Sequence, residues 1–161
     1  MSTLSFKPLL PLFNVAVLAC CNRVWPQGFD TSPDAPDSLR RLKAEMAARG
    51  RITVYSESSD STVFDCREVN QAFRAWHDWC HLVLDAPFNL EGETRACREQ
   101  ERHIFARYGD GDTGQELAAL LRAEVIGQAK YYQLHKRYIQ NQRAFAVDYM
   151  AHGDSILNNV Y

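Results

Sequence analysis

Of the five cysteines in this chain of 161 residues, no two stand in a C-x-x-C spacing. Because their number is also odd, the pattern excludes a zinc knuckle or a complete disulfide framework and favours reduced thiols in the cytoplasm. An excess of positive charge is lacking too, since 18 Lys and Arg face 20 Asp and Glu, giving a formal net charge of -2. A nucleic-acid partner is therefore not expected, because binding phosphates needs clustered basic side chains.

The chain also lacks an apolar run long enough to cross a bilayer, which takes about 20 residues. The nearest approach, PLLPLFNVAVLACC, contains two prolines and Asn14, and Lys7 is the one basic residue before it. This composition predicts a buried first helix rather than a targeting signal or a transmembrane segment. Hydrophobic residues make up 46% of the chain, which is enough for a core and predicts a single domain over residues 1–161.

Helical spacing of apolar residues appears in the segment after residue 38 and dominates the chain from Arg67 onward. The residues between Val24 and Asp37 are rich in Pro, Asp and Gly and predict a loop. Helices are then expected from a cap at Asp37 or Ser38 to about Arg49, from Arg67 to about Asp85, from Glu91 to about Tyr108, and from Gln115 to about His152.

Two short β-branched runs, RITVY and TVFD, are separated by SESSDS and predict a small β-hairpin near residues 51–65. The expected fold class is therefore mainly α, a single domain like a helical bundle. Residues 1–65 would supply N-terminal helices and the hairpin, and residues 66–152 a metal-binding helical core.

The expectation of a metal comes from the segment WHDWCHLVLDAPFNLEGE, residues 76–93. On a helix, His77 and His81 lie one turn apart, and Asp78 falls with them inside an arc of about 100°. Imidazoles at positions i and i+4 commonly offer two nitrogen ligands to one metal ion. Glu93 at the start of the next helix would add a carboxylate, and Gly92 beside it would let the backbone approach closely.

So many ionisable groups in an apolar segment favour a bound cation over ordinary buried histidines. Without a cation, their burial would cost several kcal/mol. The sequence predicts one divalent metal ion, with zinc as the favoured metal. Mixed nitrogen and carboxylate ligands also suit iron or manganese.

The spacing H-D-x-x-H, eleven residues and then Glu resembles the zinc-ligand signature of the ubiquinone-biosynthesis protein family known as Coq4. Pro87, six residues after the second histidine, and the ending Asn-x-x-Gly-Glu at residues 89–93 are similar to that family as well. The resemblance covers about residues 74–93. It implies metal ligation by His77, Asp78, His81 and Glu93. It also implies an activity that removes a ring substituent from a prenylated quinone precursor.

Polar residues also interrupt the apolar faces of the two following helices. Gln100 lies two turns after Glu93, and the last predicted helix carries Glu124, Gln128 and His135 along one face. Such residues form either a buried hydrogen-bond network or a working site. In the second interpretation they orient the metal ligands or line a substrate pocket, and Glu124 joins Asp78 as a catalytic candidate.

Two other classes of metal-dependent protein are not favoured, because the chain lacks their motifs. A ferritin-like di-iron bundle needs E-x-x-H on two helices, and the chain has no E-x-x-H. An HD phosphohydrolase needs a histidine upstream of its His-Asp pair, and none precedes His77. A zinc-dependent hydrolase stays open, because Asp78 occupies the place of the base in H-E-x-x-H.

A non-enzymatic binding module with a structural metal also stays open, because a motif with four ligands could close such a site. The favoured function is a metal-dependent activity on, or binding of, a small and partly apolar molecule. The oligomeric state and the question of catalysis are left open by the sequence.

Overall fold

The computed structural model describes residues 8–57 and 61–161. Within that part of the chain it contains seven α-helices and two short strands. In chain order they are α1 (Pro11–Val24), β1 (Asp30–Ser32), α2 (Leu39–Arg49), β2 (Thr53–Tyr55), α3 (Arg67–Leu84), α4 (Leu90–Tyr108), α5 (Asp112–Arg122), α6 (Gln128–His135) and α7 (Gln142–His152). The mainly α fold class predicted from the sequence is confirmed.

Side-chain caps and a left-handed glycine set the ends of the helices that were predicted correctly. The Ser38 hydroxyl accepts a hydrogen bond from the Arg41 amide at 3.2 Å and caps α2, and Gly50 ends that helix with a φ of 65°. The Asn89 side chain accepts from the Gly92 amide at 3.0 Å and starts α4. These bounds agree with the predicted helices over residues 38–49, 67–85 and 91–108.

The predicted hairpin near residues 51–65 is wrong, although its first strand exists. Strand β2 pairs in parallel with β1, with Asp30 opposite Thr53. The TVFD segment forms no strand, and its Val63 and Phe64 side chains are buried in the core. Three residues of the expected hairpin loop, 58–60, lie outside the described residues.

Strand β1 lies where the sequence predicted a loop, and ion pairs link it to the end of α2 and to the residues just before β2. The Asp30 carboxylate accepts hydrogen bonds from Arg49 and, at 2.8 Å, from Arg51 Nε. The strand sequence Asp-Thr-Ser has no apolar alternation, so the usual strand signal is missing.

The single long helix predicted from Gln115 to His152 is also wrong. A π-helical turn, Ala123–Gly127, separates α5 from α6, and Lys136 ends α6 in the left-handed region with a φ of 55°. A new helix, α7, then begins where the Asn141 side chain accepts from the Ala144 amide at 3.0 Å. A short 3-10 turn, Gly153–Ile156, follows α7.

Helix α3 forms the centre of the core and carries the two histidines of interest. It packs against α1 and α4, and Phe73 and Trp76 join Phe13 and Phe64 in an aromatic cluster with ring centroids 5.3–6.2 Å apart. Burial of these rings drives the association of the helices.

Helix α1 buries one face in the core, as predicted, but Leu12, Val15 and Leu18 on its other face are exposed. Among the described residues, no helix combines the length and the apolar character needed to cross a membrane.

Candidate metal centre

Three side chains from two consecutive helices converge at one point. His77 and His81 come from the C-terminal half of α3, and Glu93 comes from the first turn of α4. The two Nε2 atoms of the histidines lie 3.0 Å apart, and the Glu93 oxygens lie 2.7 Å from His77 Nε2 and 3.4 Å from His81 Nε2. Two ligand atoms around a tetrahedral zinc ion are separated by roughly 3.3 Å. This group could therefore hold a metal ion.

The other nitrogen of each imidazole contacts a hydrogen-bond acceptor. His77 Nδ1 lies 2.8 Å from Gln100 Oε1, and His81 Nδ1 lies 2.8 Å from the carbonyl oxygen of Ala86. Because both partners are oxygens that accept, each Nδ1 carries the proton and donates it. Each Nε2 then directs a lone pair toward the other histidine and toward Glu93. Lone pairs at 3.0 Å repel one another unless a positive centre lies between them.

In the metal-free protein, a proton can supply that positive centre. Burial lowers the pKa of His77, but the negative charge of Glu93 outweighs it and raises the pKa to about 9. Burial likewise opposes ionisation of Glu93, yet its contacts with His77 and His81 lower its pKa well below the ordinary value. The site thus favours a cation, which is the electrostatic requirement for a metal ion as well.

The turn between the two helices brings Glu93 to the histidines. Helix α3 ends at Leu84, the next residue Asp85 lies in the left-handed region with a φ of 50°, and the chain reverses through Pro87 into α4. A Cβ atom added at Gly92 would lie 1.7 Å from the Pro87 carbonyl oxygen. The predicted close backbone approach at Gly92 is therefore confirmed, and glycine is required next to the converging carboxylate of Glu93.

A cleft of about 660 Å³ opens beside this group, with His77 and Glu93 in its lining. Its volume lies in the range typical of small-molecule sites, roughly 300–1,000 Å³. Apolar side chains supply much of the remaining wall, among them Phe73, Phe88 and Val125. The arrangement places a group that could hold a cation at the wall of a partly apolar cleft.

Glu124 and Gln128, both singled out from the sequence, also line this cleft. Glu124 is 8% exposed and belongs to the π-helical turn, a feature often found at functional sites. Burial raises the pKa of Glu124 to about 8, although Gln128 beside it and the positive charge of Arg74 partly offset the effect. The carboxyl group is therefore mainly protonated at neutral pH.

Asp78 is not part of the group that could hold a metal. It lines a neighbouring cavity of about 190 Å³ with Tyr55 and Arg74, and burial raises its pKa to about 7. His77 lines this smaller cavity as well, but no carboxylate oxygen of Asp78 belongs to the group of converging atoms. The structure brings together three of the four side chains expected as ligands.

Of the other two residues predicted to belong to the site, Gln100 contacts the converging group and His135 does not. Gln100 is buried and contacts His77, as described above. His135 does not line the cleft: its Nε2 lies 2.6 Å from the Leu157 carbonyl oxygen, and its ring packs on Tyr131. The prediction for His135 assumed one regular helix with Glu124, Gln128 and His135 on the same face. The π-helical turn rotates the following residues relative to that face, and α6 ends at His135.

Sequence reasoning missed two contacts that hold the His81 ring. The carbonyl oxygen of Ala86 accepts from it, and the Phe88 ring packs against it with centroids 4.6 Å apart. A backbone acceptor leaves no trace in the residue type. Phe88, however, stands between Pro87 and the cap of α4, where an apolar residue could have been noted.

Comparison with known proteins adds no assignment, because no family model, curated protein or solved structure matches this chain.

The Gln100 side chain offers a first test of how His77 is held. Gln100→Leu removes the acceptor for His77 Nδ1, so we expect zinc affinity to fall about 10- to 100-fold while the fold is retained. Competition with a chromophoric chelator measures the affinity, and circular dichroism checks the fold. Gln100→Glu, which keeps an oxygen acceptor, should retain most of the affinity. Equal zinc affinity in the wild type and Gln100→Leu would contradict the role given to Gln100.

Proposed function

We propose that this protein binds one divalent metal ion, zinc in the first place, through His77, His81 and Glu93. The ion would serve an activity on, or the binding of, a small and partly apolar molecule in the adjoining cleft. The observation that carries the proposal is the convergence of two imidazole lone pairs and a carboxylate at the wall of that cleft. A mixed nitrogen and oxygen site also accommodates iron or manganese.

The number of converging side chains supports a reactive ion over a purely structural one. Structural zinc sites are normally closed by four protein ligands, whereas catalytic sites use three and keep a position for a ligand. Three side chains converge here, and two of them line the cleft. A divalent ion held there would act as a Lewis acid toward an oxygen atom of the bound molecule.

The resemblance to the Coq4 family supports a more specific version of this proposal. Three of the four residues that carry the motif, the two histidines and the glutamate, are those that converge, while Asp78 is not among them. On this basis we propose a Coq4-like activity on a small apolar molecule. The hydrolase alternative is less favoured, because Asp78, its proposed base, is not among the residues that line the cleft.

The five cysteines support the cytoplasm as the compartment of this activity. All are free, and four of them are buried. Burial raises the pKa of Cys21, Cys80 and Cys97, so these thiols are inert and need no oxidising environment.

Cobalt substitution tests whether the ion has an open position. We expect the visible spectrum of the Co²⁺-loaded protein to change when azide is added, because azide would enter the position that faces the cleft. A closed site with four protein ligands would leave the spectrum unchanged. That result would support the structural alternative and contradict the proposed function.

The Asp78→Asn variant tests whether the ligands number three or four. Because Asp78 does not converge with the other side chains, we expect the variant to bind one equivalent of zinc with an affinity within about tenfold of the wild type. Glu93→Gln is the matched control, since it removes a carboxylate that does converge, and it should lose far more affinity. If both variants lose zinc equally, Asp78 is a ligand and the three-ligand description fails.

A further inference from the structure

Two buried polar atoms without partners lie in the cleft that His77 and Glu93 also line. Glu124 Oε1 and Gln128 Nε2 each lack a hydrogen-bond partner of good geometry among the residues that the structure describes, although the two side chains are close enough to interact electrostatically. Buried polar atoms in folded proteins are nearly always hydrogen-bonded, so two such atoms without hydrogen bonds at a cleft need an explanation. A ligand that enters the cleft would supply the missing partners.

The backbone that presents these two residues is itself unusual. The π-helical turn Ala123–Gly127 replaces regular α-helix, and such turns are rare and concentrate at functional sites. It is packed closely on α7, since a Cβ atom added at Gly127 would lie 3.0 Å from a Phe145 ring carbon and 3.2 Å from the Tyr149 ring. The turn is thus held in place, and the unpaired atoms are fixed at the cleft.

We propose that Glu124 and Gln128 form a binding subsite for an uncharged polar group that has both a donor and an acceptor. A carboxamide or a hydroxyl group has this character. The inference rests on the proposed metal function and extends it, because the subsite gives the same cleft a second polar end apart from the metal centre.

The charge state of the subsite determines the class of ligand group. Glu124 makes no ion pair in the described part of the chain, and the guanidinium of Arg74 donates to the carbonyl oxygens of Tyr55 and Glu57. A buried carboxyl group in such surroundings stays neutral, and it then offers an O–H donor and a C=O acceptor. Gln128 adds an N–H donor. An anionic ligand group would lose its hydration there without a basic group at ion-pair distance from Glu124 in that part of the chain, and a cationic group could gain a counter-charge only if Glu124 gave up the proton that burial holds on it.

Benzene derivatives are suitable probes, because Phe73, Phe88 and Val125 supply an apolar wall for the ring. Benzamide carries an uncharged group with a donor and an acceptor, benzoate carries an anion, and benzylamine carries a cation at pH 7. Each is titrated into metal-free protein in the presence of a chelator. Backbone amide shifts in the nuclear magnetic resonance spectrum report affinity and position.

We expect benzamide to bind about tenfold more tightly than either charged probe and to shift the amides of Glu124 and Gln128. Glu124→Leu and Gln128→Leu should each weaken benzamide binding about tenfold, while Glu124→Gln, which keeps a donor and an acceptor, should retain it. Gln133→Leu is the matched control, since Gln133 lines the same cleft but is exposed. Its effect should be small.

Several results would overturn the subsite. They are the absence of benzamide binding at millimolar concentration, equal or tighter binding of benzoate or benzylamine, and unchanged benzamide affinity in both leucine variants. Because the titration uses metal-free protein, its outcome is separate from that of the metal proposal. A protein that binds zinc but shows no preference for benzamide loses the subsite alone, and one that prefers benzamide but binds no zinc loses the metal function alone.

Discussion

His81→Ala is expected to retain less than about one tenth of an equivalent of zinc after dialysis, where the wild type retains one equivalent. His81 is fully buried, and its Nε2 is one of three converging ligand atoms. Loss of one ligand leaves an incomplete site, which lowers affinity by orders of magnitude and removes the stability that the metal adds. Elemental analysis of protein purified without an affinity-metal step measures the stoichiometry, and thermal unfolding with and without zinc measures the stability.

The control for this experiment is His152→Ala. His152 is exposed at the end of α7, so its removal should change neither the zinc content nor the melting temperature. Stoichiometric zinc in both histidine variants would show that the ion binds elsewhere on the chain.

Gly92→Ala is expected to destabilise the protein by about 3 kcal/mol or more, even without metal. The new Cβ atom would lie 1.7 Å from the Pro87 carbonyl oxygen and 2.9 Å from its backbone nitrogen, so the chain must move apart at the start of α4. Glu93 follows directly and would move with it. We therefore expect both a lower free energy of unfolding, measured by urea denaturation, and a weaker zinc affinity.

Gly111→Ala provides the matched control for the glycine test. Gly111 precedes α5 with a φ of -76°, and a Cβ atom added there meets nothing within 4 Å. The change in unfolding free energy should stay within about 1 kcal/mol. If Gly92→Ala is equally mild, the close approach of Pro87 to α4 is not rigid, and it does not fix the position of Glu93.

The sequence was most informative where one local signal decided the structure. Helix α3 was predicted because its apolar residues recur every three or four positions, and the same spacing placed His77 and His81 on one side. The capping residue Ser38 marked the start of α2, because its side chain accepts from a free amide of the first turn. Gly92 indicated a close approach because glycine alone has no Cβ atom.

The remaining features depend on contacts between distant parts of the chain. Strand β1 is short and polar, and it is defined by its pairing with residues more than 20 positions later. The sequence has one continuous helical pattern here, but the structure interrupts it at the π-helical turn and again at Lys136, which lies in the left-handed region. No proline or glycine stands at Lys136 to signal the second interruption. On a helical projection, Asp78 lies in the same arc as His77 and His81. Which of these side chains contact Glu93 depends on where the next helix places Glu93, and the projection does not show that position.

X-ray absorption spectroscopy of the zinc-loaded wild-type protein tests the central claim most directly. The proposed site predicts one bound zinc ion surrounded by nitrogen and oxygen atoms at about 2.0–2.1 Å, with scattering from two imidazole rings. Sulfur ligands at about 2.3 Å, or fewer than two imidazoles, would contradict binding by His77, His81 and Glu93.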